Sequence, residues 1–477
     1  MATCTETRAP QPTTLGLVTE GSPRQPAGSR VEFLADETWK LQERMPPRMS
    51  LNLIYILLIL LVLNVEIVVP TADQYAKRLG ASESFSGAVI ALTPVFQGII
   101  GVPINYSMLS RNVSMKSIII IMVASSILGN VLYALAGLMH SKIIILVSRM
   151  IIGICQCQLA GPIYIARAVG VKKRTKVMFL YSTMAAVAFF GAPLIAALLE
   201  MFVKDLRIQD LVLDSDTIPG WFMAVLYFIY MLLIVFFFED AEDVETTASP
   251  SGETDTNDAN EESQESLCQP GFLICLLSSF ISPMTTTMCT VFFVKLAEQA
   301  WDLSVSATSL WLAAAMVVVA AMSYLSGVVT PYIEDRKGLL LSSLLACISA
   351  TLTYHIGHDW STASIIIFVL GFLLMQSCSG VVKNYGYALV PKIVAPQLKD
   401  AAGTVNMVVL QLGRGTGAQL GAMMNTTSFA VSQVGSYFLL AVLLYIFRAQ
   451  LKQHAKLCEY KAIDPVEASG ENKRNPG

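Results

Sequence analysis

Charge is what this sequence has least of. Only 14% of its 477 residues are Asp, Glu, Lys or Arg, against about 25% in soluble globular chains. With 54% hydrophobic residues and a mean hydropathy of +0.59, the chain is too apolar to fold as several cores in water. A large soluble enzyme is thereby excluded. A cysteine framework is missing too. The nine cysteines stand singly, mostly within apolar stretches, with no CxxC or Cys/His spacing that would indicate disulfides or a metal. No nucleophile–base set or phosphate loop is present, so no catalytic activity and no cofactor are expected. No basic stripe points to nucleic acid. Residues 1–49 contain no apolar run of the signal-peptide kind, so none is expected to be cleaved.

What is present is a polytopic membrane protein. A membrane helix needs about 20 mainly apolar residues. Twelve such spans can be read at roughly 50–70, 84–108, 116–138, 142–165, 176–201, 220–238, 271–296, 304–330, 338–356, 362–383, 400–423 and 429–448. The predicted fold is an all-α membrane protein with twelve transmembrane helices in two six-helix halves. The domains are a tail (1–49), a first half (50–238), a linker (239–269), a second half (270–450) and a second tail (451–477). In the first tail Val31, Leu34, Leu41 and Met45 recur at helical spacing and outline a helix lying on the membrane surface.

The net charge of −3 hides an asymmetry, because residues 239–269 hold eleven acids and no Lys or Arg. The linker is a solvated tether or a docking segment for an unknown partner. If the N-terminus is cytosolic, eighteen Lys and Arg near the spans fall on the cytosolic side and six on the other. The positive-inside rule then puts both termini and the linker in the cytosol.

Two six-helix halves joined by a polar linker is the layout of a major facilitator transporter, with a substrate site near mid-membrane between the halves. Ionisable residues inside spans are the candidate functional groups, since a charge in hydrocarbon needs a partner or a wet cavity. Arg149 lies inside span four and Arg414 inside span eleven, one from each half. Two guanidiniums converging from opposite halves make an anion site, because their planar forks match oxyanions. Lys383 in span ten can assist, and Gln158 can line the path. Glu66 lies in span one at a depth similar to Arg149. The two are predicted to pair, with Glu66 taking up a proton. The alternatives are snorkelling side chains for Arg149 and Lys383 and an interfacial acid for Glu66. Gln156, Asn384, Asn406 and Gln411 either line the path or join helices. Pro94, Pro103, Pro162, Pro193 and Pro283 fall within spans and are expected to break or kink them.

Glu334-Asp335-Arg336-Lys337-Gly338 resembles the D-R-x-G loop of major facilitator proteins. It implies a cytosolic gate in which Asp335 and Arg336 latch two helices. Ile67-Val68-Val69-Pro70-Thr71-Ala72-Asp73-Gln74-Tyr75, Gly129-Asn130-Val131-Leu132-Tyr133 and Pro219-Gly220-Trp221-Phe222 resemble the membrane part of the SPX-MFS proteins, the vacuolar phosphate transporters of plants. Lys392-Ile393-Val394-Ala395-Pro396 and Arg414 are more similar to the related endolysosomal anion-conducting facilitators. The resemblance implies a transporter of an inorganic anion such as phosphate, working by alternating access in a vacuolar or endolysosomal membrane. The rivals are a channel-like anion conductor and a non-transporting scaffold or sensor. Where the plant proteins carry arginines in span four, this chain has Gln158, Pro162 and Ile163.

Overall fold

The structure is a computed structural model. It describes residues 44–448 and 451, except 112, 157, 203–205, 209–210, 214–215, 241–268, 330–332, 355–361 and 395–397. The surface helix expected near residues 31–45, the body of the acidic linker and most of the C-terminal tail lie outside the described residues.

Each of the twelve expected spans corresponds to helix. The first half comprises α1 (Arg48–Glu66), the short α2 (Ala72–Arg78), α3 (Glu83–Phe96) leading through a π turn (Gln97–Gly101) into α4 (Val102–Ser110), and α5 (Met115–Leu135). It continues with α6 (Lys142–Cys155), α7 (Ala160–Ala168), α8 (Val171–Phe202) and α9 (Ile218–Phe237). A small antiparallel hairpin, β1 (Leu206–Ile208) and β2 (Leu211–Leu213), joins α8 to α9. The second half is α10 (Pro270–Gln299), α11 (Val305–Val329), α12 (Asp335–Leu352), α13 (Thr362–Ile393), α14 (Lys399–Met423) and α15 (Thr426–Ile446).

Among the described residues, ten helical spans are long and apolar enough to cross a membrane unaided. The other two are α12 and α14. Asp335, Arg336 and Lys337 open α12, whereas α14 carries Asn406, Gln411 and Arg414 in its interior. These three side chains are buried by neighbouring helices, which is how a polar span avoids lipid.

Three spans depart from the regular helices expected. Span one ends early. Its helix stops at Glu66 and passes through turns over residues 67–71. Pro70 disfavours helical conformation at the residue before it, and its ring nitrogen has no proton to continue the ladder. In span two, Pro103 likewise cannot donate, and the chain adopts a π turn closed by the Val102 N–H on the Gln97 carbonyl. In span four the helix breaks at Gln156, which is extended (φ −73°, ψ 118°), and resumes as α7 with Pro162 in its first turn. Pro193 and Pro283 lie inside continuous helices. Only some of the prolines therefore interrupt their spans.

Spans one to six and seven to twelve form two packed halves, and their contact is uneven. One apolar core runs through the first half into Met288–Leu296, Leu312, Met316, Ala418, Ala422 and Phe429 of the second. These residues sit toward the end opposite the chain termini. The remaining core of the second half, around Phe272, Leu339, Val390 and Leu444 near the terminal end, is a separate cluster. The apolar core shared by the two halves thus lies toward the far end, and toward the terminal end the second half keeps a core of its own. Helix α14 makes the closest approach. A β-carbon at Gly415 would meet the Ala91 carbonyl at 3.1 Å, and one at Gly417 would run into the Met284 carbonyl of α10.

Gly417→Val should therefore destabilise the protein by about 1–3 kcal/mol, the usual cost of overpacking. Gly403→Val, where a β-carbon meets nothing within 4 Å, should be neutral. Melting of the two detergent-solubilised variants checks this, and equal melting temperatures would refute the packing argument.

Candidate functional site

The site is built on α14 where it crosses the first half. Arg414 Nη2 donates to Glu66 Oε1 at 2.7 Å, and both side chains are nearly buried, at 9% and 12% exposure. The pair joins the end of α1 to the middle of α14 and so crosses between the halves. The guanidinium also lies 5.7 Å from the centre of the Phe189 ring of α8, within cation–π range. Lys383 of α13 is close enough to Arg414 for the two charges to interact. Among the described residues it has no carboxylate or hydrogen-bond partner. Formal charges of Arg414, Lys383 and Glu66 leave one positive charge in excess.

One helical turn along α14 from Arg414, Gln411 makes a second link between the halves. Its Nε2 donates to Gln158 Oε1 at 2.6 Å. Gln158 lies in the break between α6 and α7. The helix break is what frees this side chain to reach α14.

Arg149 occupies a different place. It is 1% exposed, and its Nη1 donates to the Asn64 carbonyl at 3.3 Å. Its guanidinium lies 5.0 Å over the Tyr133 ring. Asn64 is two residues from the end of α1, where carbonyls lack intrahelical donors. Arg149 therefore caps a helix C-terminus, where the macrodipole favours a cation. The expected Glu66–Arg149 pair is corrected: Glu66 engages Arg414 and Arg149 engages backbone. The early end of α1 explains both, since it exposes carbonyls to Arg149 and leaves Glu66 on the terminal turn, facing the other half. Arg149 contacts residues of its own half, so its expected convergence with Arg414 is not what its contacts display.

The expected gate is partly rearranged. Asp335 at the start of α12 pairs with Lys392 near the end of α13. Arg336 and Lys337 instead engage Glu334 of their own turn, at 3.6 and 3.4 Å. The acid does join two helices, but through a lysine, and both helices belong to the second half. Among the described residues no group of His, Cys, Asp and Glu is disposed to hold a metal ion.

Of the residues singled out from the sequence, the structure brings Glu66, Arg414, Lys383 and Gln158 to this seam. Sequence reasoning missed Phe189, one aromatic among many in apolar spans, and the part of Gln411, which it noted only as a polar span residue.

Two helical halves with a charged, cross-linked seam at mid-span define a transporter-type membrane bundle. The family model for the Major Facilitator Superfamily matches residues 54–418, and the chain belongs to that superfamily. Among curated proteins it is 24% identical over 450 residues to an SPX domain-containing membrane protein of Arabidopsis thaliana, covering 82% of this chain and 63% of that one. It is also 24% identical over 435 residues to an uncharacterized MFS-type transporter of Schizosaccharomyces pombe, covering 84% and 88%. The chain spans about three-fifths of the length of the first plant relatives it matches. Among solved structures, the inward-facing, unoccupied form of a bacterial homolog to the human lysosomal transporter Spinster aligns with a TM-score of 0.62 at 15% identity, covering 87% of this chain and 98% of that one. A human organic anion transporter aligns at 0.59 and 15% identity, covering 84% and 100%. At such identities these structures establish the fold alone.

The ion pair should behave as a coupled unit. Removing one partner of a buried pair strands the other charge and typically costs 3–5 kcal/mol. Arg414→Gln should therefore melt well below wild type, and Glu66→Gln added to it should restore much of the loss. Additive effects in that double-mutant cycle would rule out the pair.

Proposed function

We propose that this protein is a secondary transporter that carries a small inorganic anion across an endomembrane by alternating access. Phosphate is the best single candidate. The observation that carries this reading is the excess positive charge at the seam. Arg414 is shared with Glu66, while Lys383 has no acid among the described residues. A partly buried cation without a counter-charge is costly, and a bound anion supplies that counter-charge. The position suits the part, because facilitator substrates bind near the bilayer midplane where the halves meet.

Glu66 is assigned the coupling. As a carboxylate it competes with the substrate for Arg414. When protonated it releases the guanidinium, so proton and anion bind together. Arg149 is assigned a supporting part, holding the α1 end that bears Glu66. Asp335 with Lys392, and Arg336 in the same turn, are assigned to the cytosolic gate. The shared core at the far end supports a state open toward the termini, which is the cytosol in the topology with both termini inside. A vacuolar or endolysosomal membrane is proposed on the resemblance of residues 67–75 to vacuolar phosphate transporters and of residues 392–396 to endolysosomal facilitators.

Purified protein in liposomes tests the reading. Labelled phosphate should enter saturably and faster down an imposed proton gradient. Arg414→Ala and Lys383→Ala should each reduce uptake at least tenfold, about 1.4 kcal/mol. Glu66→Gln should still take up phosphate but no longer respond to the gradient. Uptake that is unchanged in both cation variants would discard the anion site. A Glu66→Gln protein that keeps its response to the gradient would discard the coupling.

A further inference from the structure

The seam holds a second group of side chains that the charges do not use. The π turn of span two and the break of span four bring irregular backbone into the membrane, where it is tolerated only within protein or beside a wet cavity. Both meet α14. A β-carbon at Gly98 would lie 3.0 Å from Gln411 Cβ, and one at Gly101 would lie 2.9 Å from the carbonyls of Gly153 and Ile154. Four glutamines stand on the elements that meet here: Gln97 in the π turn, Gln156 and Gln158 in the break, and Gln411 on α14. Gln411 is hydrogen-bonded to Gln158, and Gln156 Nε2 donates to the Leu61 carbonyl of α1. Gln97 and Gln411 are fully buried and Gln156 is 1% exposed. Among the described residues, both amide atoms of Gln97 and the Oε1 atoms of Gln156 and Gln411 have no hydrogen-bond partner. Buried amides are ordinarily satisfied, so these open atoms are places that a ligand's donors and acceptors can fill.

We infer that the glutamine cluster is a second part of the substrate site, selecting an anion that carries its own hydroxyl proton. The inference rests on the anion reading above. An amide offers a donor and an acceptor, so a ligand that satisfies these groups must both accept and donate. The requirement holds whichever way the amides are turned, because Gln97 lacks partners on both atoms. Gln411 and Arg414 are three residues apart and share a helix face, so one small ligand can reach both. Chloride and sulfate have no proton to donate. Monobasic phosphate has one to offer, and so does a small hydroxycarboxylate such as lactate. A site built to hydrogen-bond a hydroxyl rejects analogues lacking it far more strongly than an apolar pocket does.

The full-length protein in liposomes, below the second ionisation of phosphate, separates the possibilities. Uptake of phosphate, lactate, sulfate and chloride is compared in wild type, Gln411→Leu and Gln97→Leu. Gln97→Leu removes two unpaired buried atoms and should melt no lower than wild type, so loss of folding cannot mimic the result. Wild type should prefer phosphate or lactate at least tenfold over sulfate and chloride, and the favoured one identifies the source. Both variants should narrow that preference at least tenfold. Wild type that moves sulfate or chloride as well as phosphate overturns the inference and leaves the anion reading standing. So do variants that melt normally and keep the wild-type preference. Uptake of a neutral sugar with none of the anions overturns the anion reading itself, and this inference with it.

Discussion

A charge buried in a low-dielectric interior must be answered locally, and the middle of this protein is organised around that constraint. Arg414 lies in α14, among glycines that press against α3 and α10. Water cannot solvate it there as bulk solvent would. Its answer is Glu66, supplied from the other half. That choice ties two facts together. The ion pair satisfies α14, and it also fastens one half to the other at the depth where a facilitator binds its cargo. Any rearrangement that separates the halves must find both charges new partners. A ligand shifts such an equilibrium only through its different affinity for the two states. In the proposed transport cycle, an anion at Arg414 together with a proton on Glu66 would supply that difference.

The rest of the first half braces this arrangement. Helix α1 is held along its length by side chains that donate to its carbonyls. Tyr230 reaches Leu53 at 2.9 Å, Tyr227 reaches Leu60 at 3.1 Å, Gln156 reaches Leu61 at 3.3 Å, and Arg149 reaches Asn64 at 3.3 Å. These donors come from α9, the span-four break and α6. Glu66 thus stands at the end of a helix fixed by three neighbours, and Arg414 meets a carboxylate whose position is set before any ligand arrives. Preorganisation of this kind reduces the ordering cost of binding.

The sequence makes the helices legible because hydrocarbon thickness dictates their length and composition. It reveals α14 as a span despite its polar interior, through the apolar residues flanking Arg414. Buried charges are legible for the same reason, since Glu66, Arg149, Lys383 and Arg414 stand out against apolar runs. Their partners are not legible. Periodicity gives depth along a span, but a contact also depends on where the helix stops and which way its last turn faces. Pro70 announces a stop for α1 without saying that it falls at Glu66. That shift of four residues from the expected end of span one turns a predicted Glu66–Arg149 pair into Glu66–Arg414. The break at Gln156 is less visible still, because Gln156 carries no breaker signal and Pro162 fits the first turn of the next helix.

The departures from regular helix are also where the chemistry gathers. Glu66 lies at the early end of span one, Gln97 opens the π turn of span two, and Gln156 and Gln158 lie in the break of span four. Regular membrane helices satisfy their own backbones and can present only side chains to one another. An interrupted helix also frees carbonyls and amides, and it turns polar side chains off the helical face. This half carries three interruptions that meet α14, or the helix paired with it, near a single level. A fold that needed these spans only for support would gain from keeping them regular. The interruptions are therefore what the proposed site is built from, with the remaining spans as the frame that holds it against α14.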